Sequence, residues 1–457
     1  MGKYLQTASL CVLMGLVPTV VLASTNGADP DSSVYVSKTA VLNPDKAKAE
    51  APKIAEVQQK IPQEVTLVDS EATPETIKLY SYLYAVGKMS KVLYGHQNDT
   101  HHKAFLQKSA SWSDTQDVTG SAAAICGIDA LSFVGAEMEL TPAEQAQGIT
   151  FVDKAASLSI ETAKNGAIIT LSCHMPNFEV VKQKGKGADG KYNYGGYLPG
   201  DMRGNVVPRI LPGGDLNDVY KGYLDLVAEY AHKLAENNVP IIFRPFHENN
   251  GSWFWWGAKA KNAGTLEERN ALVRYTVEYL RDTKQVHNFL YAYSPNGPFR
   301  TDGEYFKDYP GDEYMDILGV DYYDDNPPGP AQIDPWFPEF QTTVNLLGEA
   351  AKTHHKLAAI TEAGVRDSKS LAVAHNKNMD WFSNVSAILS KAKIPYFLTW
   401  ANFTYDNNFY EPYMVSETRG HEMINKFIDY YNEENSVFAD GVENYRELTS
   451  PIVRNKN

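Results

Sequence analysis

Apolar and polar positions follow two rhythms along most of this chain. Eight short runs rich in β-branched, aliphatic and aromatic residues recur: Val92–Gln97, Ala122–Leu131, Ala167–Met175, Pro240–Glu248, Asn288–Asn296, Ile317–Asp324, Leu357–Gly364 and Tyr396–Phe403. Each is mainly apolar early and ends on polar or aromatic residues. Between them lie stretches with helical periodicity, such as Asp218–Asn237 and Leu266–Lys284. Short, nearly continuous apolar runs separated by amphipathic helices are what parallel strands buried on both faces look like. Eight of them predict an α/β fold of the (β/α)8 TIM-barrel type. A doubly wound open sheet is the structural alternative.

The ends of the chain read differently. Lys3 followed by the apolar stretch Leu5 to Leu22, with Val21-Leu22-Ala23 before Ser24, predicts a signal peptide over 1–23. Export to the periplasm or the medium is therefore expected, with membrane anchoring as the outcome if the leader stays uncleaved. Residues 24–65 are rich in Ala, Lys, Asp and Pro and predict a linker or loosely packed arm. Thr73-Pro74-Glu75 starts a helix. Residues 66–457 are expected to form the barrel domain.

Composition narrows the partners. A net charge of −14 repels phosphate backbones, so nucleic acid is not expected. The 28 Tyr, 18 Phe and 7 Trp offer flat apolar faces that suit sugar rings as well as cores. A neutral polysaccharide, bound by a monomer, fits both facts. Cys126 and Cys173 are too few for a disulfide framework or a zinc site, and their pairing stays open. Gly185 to Gly190 spells GxGxxG but does not join a strand to a helix, so it is read as part of a long loop after the third strand. Asn98, Asn250, Asn384 and Asn402 are glycosylation sequons; glycans at three of them would obstruct the expected cleft, so an unglycosylated, bacterial-type protein is the simpler expectation.

The strand ends carry the chemistry. A TIM barrel builds its site from the C-terminal ends of its strands. Here those ends hold His96-Gln97, Asp129, His174, His247-Glu248, Asn296, Asp321 to Tyr323, Glu362 and Trp400. Burying so many ionisable groups without use is costly. Glu248 ends the fourth run and enters a loop containing Trp253, Phe254, Trp255 and Trp256; Glu362 ends the seventh. Two carboxyl groups facing across a barrel mouth suit glycosidic bond cleavage, one protonating the leaving oxygen and the other attacking the anomeric carbon. The aromatic loop should raise the Glu248 pKa by desolvation, and donors near Glu362 such as Tyr323 should favour its charged form.

The chain resembles glycoside hydrolase family 26, a family of (β/α)8 retaining enzymes best known as β-mannanases. The resemblance is carried by Arg-Pro-Phe-His-Glu-Asn-Asn-Gly-Ser-Trp-Phe-Trp-Trp-Gly from Arg244 to Gly257 and by Thr361-Glu362-Ala363-Gly364. Supporting matches are Tyr94-Gly95-His96-Gln97, His174-Met175-Pro176-Asn177, Gly319-Val320-Asp321-Tyr322-Tyr323 and Thr399-Trp400. It implies Glu248 as acid/base and Glu362 as nucleophile in the hydrolysis of β-1,4-mannosidic bonds in mannan, galactomannan, glucomannan or manno-oligosaccharides. It implies that His247 contacts the sugar and the nucleophile, that Tyr323 hydrogen-bonds the nucleophile, and that Trp400 is a stacking platform. Trp253 and His174 would line the glycone side. Trp256, Asp321 and His96 are also expected among the substrate-binding residues. Where mannanases of this family often carry an Arg after the last Trp, this chain has Ala401. No cofactor or metal is implied, because two glutamates suffice. The alternatives are the same machinery on another β-glycan, such as β-1,3-xylan or mixed-linkage glucan, and a non-catalytic carbohydrate-binding protein.

Overall fold

The computed structural model describes residues 36–37, 53–105, 112–196, 199–329, 332–368, 370–403, 408–416 and 418–454. The expected signal peptide lies outside the described residues, as does most of the expected arm.

Eight parallel strands form the barrel: β1 Val92–Gln97, β2 Ile125–Asp129, β3 Ile168–Ser172, β4 Ile241–Arg244, β5 Phe289–Tyr293, β6 Ile317–Asp321, β7 Leu357–Ala363 and β8 Tyr396–Thr399. Each pairs with its sequence neighbour, and β8 pairs with β1, so the sheet closes. The expected barrel is the one observed. The short strand Ser436–Val437 adds to β1 on the outside of the closure.

Period-two geometry sorts every strand residue into one of two cores. Leu93, Ile125, Ile168, Ile242, Leu290, Ile317, Ala359 and Leu398 point into the barrel. They share one apolar cluster with Leu79, Leu83 and Val86 of α1 (Pro74–Lys88), which plugs the N-terminal end. Tyr94, Cys126, Ile169, Phe243, Tyr291, Leu318, Ile360 and Phe397 point outward into a second cluster beneath the surrounding helices. Those helices include α2 (Phe151–Lys164), α3 (Asn217–Ala235), α4 (Leu266–Glu278), α5 (Trp336–His354) and α6 (Trp381–Ala392). Capping boxes at Thr150 and Thr265 start α2 and α4.

Two local readings change, and the open pairing of the cysteines is answered. The expected strand through Glu248 stops at Arg244, because Phe246 (φ 55°) and Glu248 (φ 51°) adopt left-handed backbone that no ladder can include. Within the expected arm, residues 53–65 carry a helical turn, Ile54–Gln58, and a strand, Glu64–Val65, that pairs with Ile452–Val453. Val57 and Val65 are buried there, so the folded unit reaches back to this point. Cys126 and Cys173 are free and buried on the outward faces of the barrel wall.

Candidate active site

The inward parity of the strands selects what reaches the barrel mouth. Continuing the alternation, Asp129, Ser172, Arg244 and Asp321 all fall on the inner side. Glu362 would fall on the outer side, but the β6–β7 ladder slips by one residue between Ile360 and Glu362. This bulge re-aims the top of β7, and Glu362 is brought level with Asp321. Arg244 then bridges the pair: Nη1 donates to Asp321 Oδ2 at 2.8 Å and Nη2 to Glu362 Oε1 at 3.0 Å. Thr361 Oγ1 donates to Asp321 Oδ1 at 2.7 Å.

Glu248 arrives from the turn after β4. Its backbone N–H donates to Ser294 O at 2.7 Å, and its carbonyl accepts from Gly251 N at 2.9 Å, which fixes the left-handed residue. Such a conformation costs ~1–3 kcal/mol and persists only where neighbours over-determine it. The Trp253 indole donates to Glu248 Oε2. One carboxylate oxygen from each of Glu248, Asp321 and Glu362 lies within 4.8 Å of the others.

The two glutamates sit in different surroundings. Burial pushes the Glu248 carboxyl up to about 7, the charge of Glu362 adds to that, and Arg366, Trp253 and Arg244 pull the other way. Glu362 is nine-tenths enclosed and carries a guanidinium on one oxygen. Glu248 is thus disposed to hold a proton, while Glu362 accepts from the Arg244 guanidinium.

A histidine pair extends the site. Asp129 Oδ2 accepts from Ser172 Oγ at 2.6 Å and lies 2.8 Å from His174 Nδ1, and His174 Nε2 is 3.2 Å from His247 Nε2. Burial alone would lower His174, but Asp129 and then Glu362 raise it above the ordinary imidazole value. Burial and the neighbouring His174 push His247 far below that value. A protonated His174 therefore donates to a neutral His247, whose Nδ1 is buried without a protein partner. His174 also packs against Trp400, with ring centroids 5.5 Å apart, and against Phe254. Trp253, Phe254, His174 and Trp400 are half-buried, so each keeps part of its ring accessible, and Trp253 is bonded to Glu248.

Several expected contacts are corrected. Trp256 is only 2% exposed: it stacks on Phe254 and donates to His247 O, so it braces the loop and offers no face to a sugar. His96 has the outward parity of Tyr94 and is enclosed between Thr399 Oγ1 (3.2 Å) and Glu411 Oε1 (3.3 Å), away from the mouth. Asp321 engages its two oxygens with Arg244 and Thr361, so it acts on the site through Arg244 rather than through substrate. The donor on Glu362 is Arg244, in place of the expected Tyr323. The Tyr323 ring instead lies 4.2 Å beneath the Arg366 guanidinium, where Glu362's charge helps raise its hydroxyl pKa after burial. The sequence assigns Arg366 nothing, places Asp129 only among the strand ends and Arg244 only within a motif; strand parity is the signal that directs the last two to the mouth.

Among the described residues, two clusters of three or more side chains have the donor chemistry of a cation site. Glu248, Asp321 and Glu362 form one, but the Arg244 guanidinium already bridges two of them. His96, Asp99 and Glu411 form the other. There Tyr94, Thr115, Ser113 and the Ala123 N–H donate to the two carboxyls. Burial raises both acids and lowers His96 to about 3, so burial opposes charge on every member of this hydrogen-bonded cluster.

Residues 68–419 match the family described as glycosyl hydrolase family 26. The chain is 35% identical over 356 residues to a mannan endo-1,4-β-mannosidase of Bifidobacterium adolescentis, covering 74% of this chain and 32% of that protein. It is 31% identical over 205 residues to a mannan endo-1,4-β-mannosidase of Bacillus subtilis, covering 40% of this chain and 49% of that one. The chain thus spans a third to a half of these relatives' length. Among solved structures, it is similar to the catalytic domain of a family 26 endo-β-1,4-mannanase from Bacillus sp. JAMB-750, with a TM-score of 0.74 and 33% identity over 87% of this chain and 99% of that chain. A modular endo-β-1,4-mannanase from Cellulomonas fimi matches with a TM-score of 0.70 and 32% identity, over 85% and 80% of the two chains.

Proposed function

The chain belongs to glycosyl hydrolase family 26, and from that premise we propose that it is a retaining glycoside hydrolase that cleaves β-1,4-mannosidic bonds in mannan-type polysaccharides. One observation carries the reading: oxygens of Glu248 and Glu362 lie within 4.8 Å of each other. Carboxyls about 5–5.5 Å apart suit direct attack and retention, whereas inversion needs about 6.5–9.5 Å to seat a water between them.

The steps follow from the surroundings of each group. Glu248 gives its proton to the glycosidic oxygen as that bond breaks. Glu362, oriented by its hydrogen bond from Arg244, supplies the electron pair that bonds the anomeric carbon. Glu248, now a carboxylate, takes a proton from water, and the resulting hydroxide displaces Glu362 from the sugar. Trp400 and the Trp253–Phe254 edge supply apolar surface for the ring faces. His174 and His247 supply polar atoms on the glycone side, and the unpartnered Nδ1 of His247 is a donor for a sugar hydroxyl or a site water. The reading extends to the whole protein: an exported monomer acting on an extracellular or periplasmic polysaccharide.

The test is a product time course with mannan, glucomannan, β-1,3-xylan and lichenan, with anomeric configuration followed by NMR. Release of β-configured manno-oligosaccharides first, from mannan in preference to the other polymers, is the expected result. Initial α-products, or faster release from xylan or lichenan, would overturn the mechanism or the substrate respectively.

A further inference from the structure

Arg366 stands just past the nucleophile strand and is held there from three directions. Its backbone belongs to a short parallel ladder, in which Asp324–Asp325 after β6 pairs with Val365–Arg366 after β7. Its guanidinium lies over the Tyr323 ring, 4.2 Å from the centroid, and Tyr323 is backed by Tyr410 with ring centroids 5.7 Å apart. Asp325 accepts from Nε at 2.6 Å and from Nη2 at 3.0 Å. A forked ion pair on an aromatic face fixes the plane of the group. The side chain is only 23% exposed. Its remaining nitrogen, Nη1, has no hydrogen-bond partner among the described residues and is not buried. A preset donor is thus left open beside the reacting groups.

The closed order of the strands fixes the side of the reaction on which this donor stands. A line from Glu248 after β4 to Glu362 after β7 divides the mouth, with β5 and β6 on one side and β8, β1, β2 and β3 on the other. His174 after β3 and Trp400 after β8 are in ring contact on the second side. Arg366 leans the opposite way, onto Tyr323 and Asp325 after β6. A polymer cut between the two carboxyls keeps its glycone sugars with His174 and Trp400, and the departing sugar leaves past Tyr323 and Arg366. The guanidinium is near enough for its charge to act on Glu248.

We propose that Arg366 binds the departing sugar, its open Nη1 donating to a hydroxyl of that ring, and that Asp325 is the residue that positions it. The inference rests on the glycosidase reading above. A neutral hydroxyl suits this donor better than an anionic substituent, because Asp325 already balances the guanidinium charge. Lysine could not serve in the same way: it has no planar fork to hold against Asp325 while a third nitrogen faces the substrate.

The experiment compares two substrates on the full chain: mannotetraose, in which a sugar departs, and nitrophenyl β-mannobioside, in which none does. Rates are taken at about pH 5.5, below the Glu248 value of about 7, so that the acid is protonated in every variant. Arg366→Met keeps an apolar stem over Tyr323 and loses the donor; Arg366→Lys keeps the charge near Glu248 and loses the fork. Both should lower the ratio of kcat/KM for mannotetraose to that for the aryl glycoside by roughly 10-fold, the size of one hydrogen bond from a charged donor. Asp325→Asn should lower it less. Mannobiose offered as acceptor to the glycosyl-enzyme occupies the same place, so transfer relative to hydrolysis should fall in both Arg366 variants. A ratio within about twofold of wild type in both, equal losses on the two substrates, or unchanged partitioning would overturn the proposal and leave Arg366 a structural brace. A wild type that cleaves neither mannoside would instead overturn the substrate reading, and the proposal with it.

Discussion

The Arg244 guanidinium donates to Glu362 Oε1 across 3.0 Å, from one side of the barrel to the other. The same group holds Asp321, so one buried cation sits between two buried carboxylates. Removing it leaves two buried carboxyls without their basic partner. Arg244→Met should therefore destabilise the fold by ~3–5 kcal/mol in denaturant titration. Arg244→Lys cannot fork to both partners and should lower kcat by roughly 10²-fold with a smaller stability loss. A kcat within twofold of wild type in the lysine variant would rule out this role.

Glu248 predicts the alkaline limb of the pH–rate profile. The free enzyme must carry a proton there, so kcat/KM should fall as pH rises through about 7. Arg366 favours the ionised form, and Arg366→Gln should move this limb upward by a measurable fraction of a unit. The stability sign runs the same way. A carboxyl raised in the folded state stabilises fully below its unfolded value, ~4.3, and that contribution is lost as pH rises to about 7. An alkaline limb that stays in place in Arg366→Gln would separate Arg366 from the acid.

Asp129 behaves in the opposite sense. Burial would raise it, but the charge of His174 and hydrogen bonds from His174, Ser172 and the Leu131 N–H hold it at about 2. Its contribution is present above the unfolded value of ~3.9 and lost as pH falls towards 2. Asp129→Asn should make stability flatter between pH 4 and 2, and should lower the His174 pKa in an NMR titration. An unshifted His174 would disprove the coupling.

The thiols of Cys126 and Cys173 are buried, and burial pushes both well above the ordinary thiol pKa. An aromatic disulfide reagent should find neither in the native protein and both after denaturation. Fast native reaction of either one would contradict the described packing.

Sequon use is also decided by burial. The side chains of Asn98 and Asn402 are enclosed, and Asn250 bonds Asn296 through both ends of its amide. Asn384 is exposed on α6. Expression in a glycosylating host should place a glycan at Asn384 alone of these four, as peptide mass mapping would read; occupancy at Asn98 or Asn402 would be inconsistent with the fold.

The barrel was legible because its signal is local. Eight apolar runs with polar ends, separated by helical stretches, need no knowledge of what pairs with what. Glu248 and Glu362 were legible for the same reason, since each closes a strand run and stands in a motif. The raised Glu248 was legible in part: burial is its first cause, but Glu362's charge adds to it and the Trp253 indole opposes it.

What the chain order could not disclose depends on register between distant segments. Glu362 reaches Arg244 only because a bulge shifts β7 by one residue against β6, and no residue type near Ile360 announces that slip. His96 turns to Glu411 instead of the mouth because of strand parity, and Trp256 is enclosed because Phe254 folds over it. Sequence by itself determined which side chains stand at the strand ends; the closed sheet, through its registers and loop contacts, decided which of them meet.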